Sequence, residues 1–434
     1  MQFLWCDTID MRGGRIIGEG VDGCIFEGPM WPCAAGSPGS QAAPNTKDTR
    51  YVSKLVSKRD EETFFLRMAE RLLGKNLAER YMSRLQTECE PATHQKPPAQ
   101  KNLENMIQSE KNVKAWPKKG EEQACGEIKR KLESKINISR NSKLMIISKY
   151  SDTVKSFVDK MHDKSIPYRT ILQNVENAIP KFIFILQKLF QNSSEQLIHI
   201  DLHTGNIIVR YNPFEFGIAD FGHCVFRRAN EDPSNTFFGE FLLTYVSRVG
   251  FSAGFNQVPL EARLLSFCYM KKLDNISPAV LVKTWENDSE VREYSEESTD
   301  VIVSERSRIL SVLLQRRLFI AMIESIQSIC RKIRGNLNNP SGLYTSLTST
   351  EKTVVEFILT RYAILSPINT INAEIMSIYP YELYKQGNHL IRFIIKGIMA
   401  PYLQDGSSLD KVLSSVQGAD LGILWSDVVS GKTK

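Results

Sequence analysis

The sequence predicts an α+β chain in two lobes, a small β-rich amino-terminal one and a larger, mainly helical carboxy-terminal one. Three observations lead there. The 434 residues are too many for a single hydrophobic core. Up to residue 150 the apolar runs are short and β-branched, at Arg15–Phe26, Tyr51–Val56 and Leu144–Ser148. Beyond it, helical periodicity dominates, at Thr153–Met161, Arg169–Phe190 and Ser304–Arg334.

Composition narrows the class. The chain is 42% hydrophobic and 24% charged, ordinary for a soluble protein. Its net charge of +6 is modest and does not argue for a nucleic-acid partner. Eight cysteines are scattered with no CxxC pair, which indicates neither a zinc site nor a disulfide framework and suits a reducing, intracellular setting. No apolar run approaches the ~18 residues of a membrane span. Met1–Asp7 lacks the basic and long apolar regions of a secretory signal. Oligomeric state is not readable.

In chain order, residues 1–13 are an extension. Arg15–Phe26 reads as a strand, a glycine turn and a second strand. Gly18, Gly20 and Gly23 carry no Cβ, so backbone amides beside them and Glu19 can approach phosphates closely. The same GxGxxG also suits a plain hairpin turn. A strand after the last glycine argues against a dinucleotide fold, which continues into a helix. Residues 29–48 hold four Pro, two Gly, four Ala and two Ser, the composition of a flexible inserted loop. Tyr51–Val56 is a strand with one lysine, Lys54. Asp60–Leu73 has helical periodicity and an acidic start that suits the helix dipole. Residues 85–142 read as a mobile, basic-leaning insertion with some helix near 121–136, either a solvated loop or a docking segment. Leu144–Ser148 is a buried strand that leaves into a polar turn.

The helix at Arg169–Phe190 leads into Leu197-Ile198-His199-Ile200-Asp201-Leu202-His203-Thr204-Gly205-Asn206-Ile207-Ile208-Val209, then Gly217-Ile218-Ala219-Asp220-Phe221-Gly222. This is a loop between two β runs, then a carboxylate on a glycine turn. It brings Asp201, Asn206 and Asp220 to one edge of a small sheet. Phosphoryl transfer from a nucleotide needs that set: one carboxylate to orient and deprotonate a hydroxyl, an amide oxygen and a second carboxylate to hold Mg²⁺. A lone HxD would read as a loop bonding its own backbone; HxDLxxxxN, a strand and DFG at this spacing argue for the chemistry.

These residues resemble the catalytic and metal-binding loops of eukaryotic-type serine/threonine protein kinases, and His-Ile-Asp-Leu-His-Thr-Gly-Asn resembles the divergent kinases of large nucleocytoplasmic DNA viruses. The resemblance runs from about residue 14 to about residue 415. It implies a bilobal protein-kinase fold, with an N-lobe at 14–150 carrying insertions at about 29–48 and 85–142, and a C-lobe at 151–434 carrying one at about 265–350. It implies ATP and Mg²⁺ as cofactors and protein Ser or Thr hydroxyls as acceptors. By resemblance, Gly18, Glu19, Gly20 and Gly23 cover the phosphates and Ile25 one face of adenine. Lys54 grips the α- and β-phosphates and pairs with Glu62, or alternatively Glu70. Lys149 to Ser151 supply the hinge, with a small Ser148 guarding the deeper pocket. Asp201 is the catalytic base, and Asn206 and Asp220 hold metal. A host cytoplasm or virion follows if the origin is viral.

Two departures stand in the loop. Ile200 replaces the arginine that usually receives an activation-segment phosphate. His203 replaces the lysine that steadies the γ-phosphate, and as a phosphate donor it is weaker near neutral pH. Asp220 to Glu261 corresponds to the activation and substrate segment. Ser234, Thr236, Thr244 and Ser252 are either phosphate acceptors or unmodified loop residues. Glu261 is expected to pair with an arginine the sequence does not identify. Glu286–Asp300 reads as an acidic solvated loop, Lys352–Leu365 as a buried helix without its usual opening Asp, and His389–Met399 and Leu409–Val416 as closing helices. Three alternatives stay open: a small-molecule kinase, since Asp-Leu-His-x-Gly-Asn also occurs there; a pseudokinase scaffold; and a nucleic-acid module using 85–142.

Overall fold

In the computed structural model the protein is α+β, with small antiparallel sheets and several helices. The structure describes residues 16–19, 23–27, 33, 36–42, 50–57, 61–91, 142–163, 168–190, 195–227, 239, 241–242, 258–289, 310, 313–315 and 317–378. These fall in two compact units. The first draws on the chain up to Arg71, on Ser83–Tyr150 and on Asp220–Gly222. The second draws on Leu72–Met82, on Ser151–Ala219 and on the chain from His223.

The first unit is a five-stranded antiparallel sheet of β1 (Ile16–Glu19), β2 (Gly23–Glu27), β3 (Tyr51–Ser57), β4 (Leu85–Cys89) and β5 (Ser142–Ser148), in the order β1-β2-β3-β5-β4. Central β3 is buried on both faces. Val52, Lys54 and Val56 alternate with Ser53 and Leu55, and all five are inaccessible. Helix α1 (Glu62–Leu73) lines up Glu62, Phe65, Leu66 and Ala69 on its buried stripe. Side chains fasten it to the sheet: Lys143 Nζ donates to Thr63 Oγ1 at 3.0 Å, and Arg67 to Glu88 Oε1 at 3.3 Å.

Two expectations change here. Leu85–Cys89, placed in the insertion, is edge strand β4. Polar Gln86, Thr87 and Glu88 hide the apolar alternation, yet Thr87 and Cys89 are the buried positions. The 29–48 segment is not simply a flexible loop, because its described part is fastened against β4. Gly39, at φ +79°, lies so close that a Cβ would stand 2.2 Å from the Glu88 carbonyl oxygen. Its own carbonyl accepts from Thr87 Oγ1 at 3.1 Å, and Ser40–Ala42 form one 3₁₀ turn. Cys33 and Cys89 are joined in a disulfide, which corrects the reading of unpaired cysteines. Their 56-residue separation hides the pairing; only the fold brings the Cα atoms to 5.6 Å. Cysteine usage therefore no longer argues for a reducing compartment. The rest of the insertion, with its helix near 121–136, lies outside the described residues.

The second unit holds two small sheets. One has β6 (Asp152–Thr153), β8 (Ile207–Tyr211) and β9 (Phe214–Ile218) in the order β6-β8-β9; the other pairs β7 (Gln196–His199) with β10 (Cys224–Arg227). Helix α2 (Lys75–Tyr81) is tied to β9 through Glu215, which accepts from Arg80 and from the Tyr81 hydroxyl. Helices α3 (Val154–Asp163) and α4 (Tyr168–Phe190) follow the periodicity of the sequence. Ile171, Val175, Ile179, Phe182 and Leu186 of α4 form a buried stripe, and Phe182 meets Phe216 of β9.

The remaining helices are α5 (Leu260–Lys271), α6 (Pro278–Asn287), α7 (Arg317–Gly335), α8 (Pro340–Ser346) and α9 (Ser349–Ile378). Residues 265–350, expected as an insertion, supply much of this core: Leu265, Trp285, Phe319 and Leu343 are fully buried. Trp285 shows that the expected acidic loop begins in the last turn of a packed helix; residues 290–300 lie outside the described ones. The helix expected over 304–334 is described as α7, preceded by a turn at Leu314–Gln315. Helix α9 starts on a reciprocal cap. Glu351 accepts from the Thr348 N–H at 2.6 Å, and Thr348 Oγ1 accepts from the Glu351 N–H at 3.3 Å. Its Ser349–Ile371 stretch is, by length and composition, apolar enough to cross a membrane, contrary to the sequence expectation, but 83% of it is buried in the fold as a core helix is. The expected closing helices at 389–399 and 409–416 lie outside the described residues.

Candidate functional site

Polar groups gather at one place in each unit. In the first unit, the Lys54 side chain is only 3% exposed. Its Nζ donates to Glu62 Oε2 at 2.7 Å and to Asp220 Oδ1 at 2.6 Å. Burial alone would lower the pKa of the ammonium. The two carboxylates outweigh burial and hold it above its ordinary value, so Lys54 is charged. Glu62 is the partner because it shares the buried stripe of α1. Glu70, eight residues on and about 80° round the helix, instead accepts from Arg84 Nε at 2.9 Å. Asp220 has φ +55°, a left-handed conformation that Asp tolerates better than most residues. Phe221 beside it is fully buried.

Gly18 and Glu19 lie on β1 and pair with Ile25 and Cys24; Gly23 and Ile25 lie on β2. Gly20 falls outside the described residues. Ile25 is opposite Lys54 across the β2–β3 ladder, so the two side chains share one face of the sheet. Ser148 Oγ accepts from the Arg84 N–H at 2.9 Å. Lys149 is exposed, and its N–H donates to the Arg50 carbonyl at 2.8 Å. That donor is therefore engaged by the chain just before β3. Ser151 is exposed at the start of the second unit.

In the second unit the loop between β7 and β8 carries Asp201, His203 and Asn206. Its backbone is held at several points. His199, only 6% exposed, accepts the Asp201 N–H on Nδ1 at 3.2 Å and bonds the Ala219 carbonyl through Nε2 at 3.1 Å. Those partners assign its neutral tautomer with the proton on Nε2. Asn206 Nδ2 donates to the Asp201 carbonyl at 2.8 Å, and its carbonyl accepts from the Ala219 N–H at 2.9 Å. The Asp201 main chain is thereby clamped on both sides while its carboxylate remains 43% exposed. His203 folds back over the loop. Its Nδ1 accepts from the Gly205 N–H at 3.0 Å, and its Nε2 stands 3.9 Å from Asp201 Oδ2. A Cβ at Gly205 would come within 2.8 Å of His203 Cε1, so a larger residue there would move the His203 ring.

Ile200 is 1% exposed. The position of the usual arginine is thus a core position here. Its N–H donates to the His223 carbonyl at 3.0 Å, and its carbonyl accepts from the Tyr362 hydroxyl. Glu261, in the first turn of α5, has the partner the sequence left unnamed. Arg361 of α9 approaches it at 3.2 Å, with both side chains buried. Val258 to Glu261 are described, whereas Ser234, Thr236, Thr244 and Ser252 lie outside the described residues.

Asn206, in the second unit, and Asp220, in the first, each carry a hard oxygen donor of the type divalent cations take. Among the described residues no cluster of three or more His, Cys, Asp or Glu makes a larger metal site. Sequence reasoning passed over two residues that bond the backbone of this loop, His199 and Tyr362. The first had a signal, its place two residues before Asp201. The second had none, 162 residues from its contact. No protein-family model and no curated protein matches the chain.

Proposed function

We propose that the protein is an ATP-dependent serine/threonine protein kinase of bilobal kinase-like fold. The observation that carries the reading is the buried lysine of β3 held by a helix carboxylate and by the Asp of Asp-Phe-Gly. The Asp201–Asn206 loop adds the second half of the chemistry, a fixed backbone presenting an open carboxylate. Lys54 would neutralise the α- and β-phosphates. Asn206 and Asp220 would hold Mg²⁺, which supplies charge neutralisation on the phosphates when bound. Asp220 would exchange its Lys54 contact for the metal to do so.

Asp201 orients the acceptor hydroxyl and takes its proton. The new oxygen–phosphorus bond forms as the bond to the β-phosphate oxygen breaks and ADP leaves. Little covalent work is asked of the protein; positioning and electrostatics carry the rate. His203, beside Asp201, would donate a hydrogen bond to phosphate in place of the usual lysine.

The test is Mg²⁺-dependent transfer of γ-phosphate from ATP to casein or a basic protein. Asp201→Asn is expected to lower transfer about 10²–10⁴-fold with ATP binding retained. ATP binding without transfer by the wild type would move the reading to a small-molecule kinase or a scaffold. Absence of ATP binding would remove the roles of Lys54, Asn206 and Asp220 together.

A further inference from the structure

We infer that Tyr362 is a positioning residue for Asp201, and that α9 is the strut against which the reactive loop is set. The inference rests on the kinase reading, because it gives Asp201 its catalytic task. Tyr362 is 4% exposed, and its hydroxyl donates to the carbonyl of Ile200, the residue directly before Asp201. A carbonyl preceding a catalytic residue fixes the peptide plane from which that residue projects. The other atoms of this stretch are also engaged. The Ile200 N–H is bonded to His223, the Asp201 N–H to His199, and the Asp201 carbonyl to Asn206. Tyr362 completes the set from an element distant in sequence.

The Tyr362 ring is itself held. It packs edge-to-face on Phe241 with centroids 6.0 Å apart. Its neighbour Arg361 pairs with Glu261 at the start of α5. Successive residues of one buried helix therefore grip the loop before Asp201 and the first turn of α5. Further along α9, Glu374 bonds Thr204 of the same loop, and the Thr204 carbonyl accepts from the Lys155 N–H at 3.4 Å. The loop is held by α9 at both ends, with its carboxylate left open.

The experiment is Tyr362→Phe in the full chain, which removes the hydroxyl and keeps the ring. Hydrogen exchange of a peptide covering 196–206 reads the contact without reference to activity, and is expected to quicken about ten-fold, with α4 and β3 unchanged. For phosphate transfer, kcat is expected to fall ten-fold or more, with KM for ATP within about two-fold of wild type, because the lost element is geometry at the reacting centre. A merely structural tyrosine would lower the melting temperature and leave kcat of the folded fraction unchanged. Wild-type exchange and kcat in the variant would overturn the inference. If exchange quickens but the wild type transfers no phosphate, the kinase reading fails and the strut is structural only. If the wild type is active and exchange quickens without a change in kcat, the kinase reading stands and the positioning role falls.

Discussion

Replacing Lys54 with Met tests whether the buried ion pair is organised as described. The Glu62 side chain is 1% exposed and lies 2.7 Å from Lys54 Nζ. Removing the ammonium takes from that buried carboxylate the positive charge it faces. Loss of one partner from such a pair costs about 3–5 kcal/mol. Asp220 is 31% exposed and can recover water, so Glu62 dominates the loss. The double variant Lys54→Met/Glu62→Gln removes the carboxylate charge as well while keeping the shape of the side chain. It should regain about 2 kcal/mol, since an uncharged buried amide costs about 1–3 kcal/mol against about 3–5 kcal/mol for the charge. Urea unfolding at neutral pH measures both variants, and the double-mutant cycle isolates the coupling. A single variant within about 1 kcal/mol of wild type, or a double variant no more stable than the single, would refute the pairing.

Two further outcomes follow from the same physics. Cys33→Ser opens a closed loop of 56 residues and should cost about 4 kcal/mol on the chain-entropy account; a reducing agent should lower the wild-type melting temperature and leave the variant alone, and equal sensitivity in both would deny the disulfide. Burial alone would raise the Glu215 carboxyl, but hydrogen bonds from Arg80 and Tyr81 and the charges of Arg80 and Lys181 hold it below its ordinary value of 4.5. Its contribution is therefore complete above about pH 4.5 and is lost as the pH falls through the lower folded value. Glu215→Gln should be less stable at neutral pH and should show a shallower fall in stability below pH 4.5, read by unfolding across a pH series; an unchanged acid limb would rule Glu215 out.

Much of this protein was legible locally. The strand carrying Lys54, the helix beginning near Glu62, the long helix ending at Phe190 and the loop from His199 to Asn206 follow from apolar spacing of two or about 3.6 residues and from turn chemistry. Such signals are complete within a dozen residues. Strand β4 was not legible, because its Gln86, Thr87 and Glu88 carry no apolar alternation and its place is set by β5 and the 33–42 segment. The Cys33–Cys89 bond, the Glu261–Arg361 pair and the Tyr362–Ile200 bond were equally hidden. Sequence by itself determined which residues were candidates for the proposed chemistry: a lysine, two aspartates and an asparagine at the spacing of the motif. Tertiary structure decided that Lys54 meets Glu62 rather than Glu70, and that Tyr362, distant in sequence, bonds the carbonyl before Asp201. A residue's periodicity is a property of its own segment, whereas burial and hydrogen bonding depend on chain segments brought alongside it by the packing of the whole core.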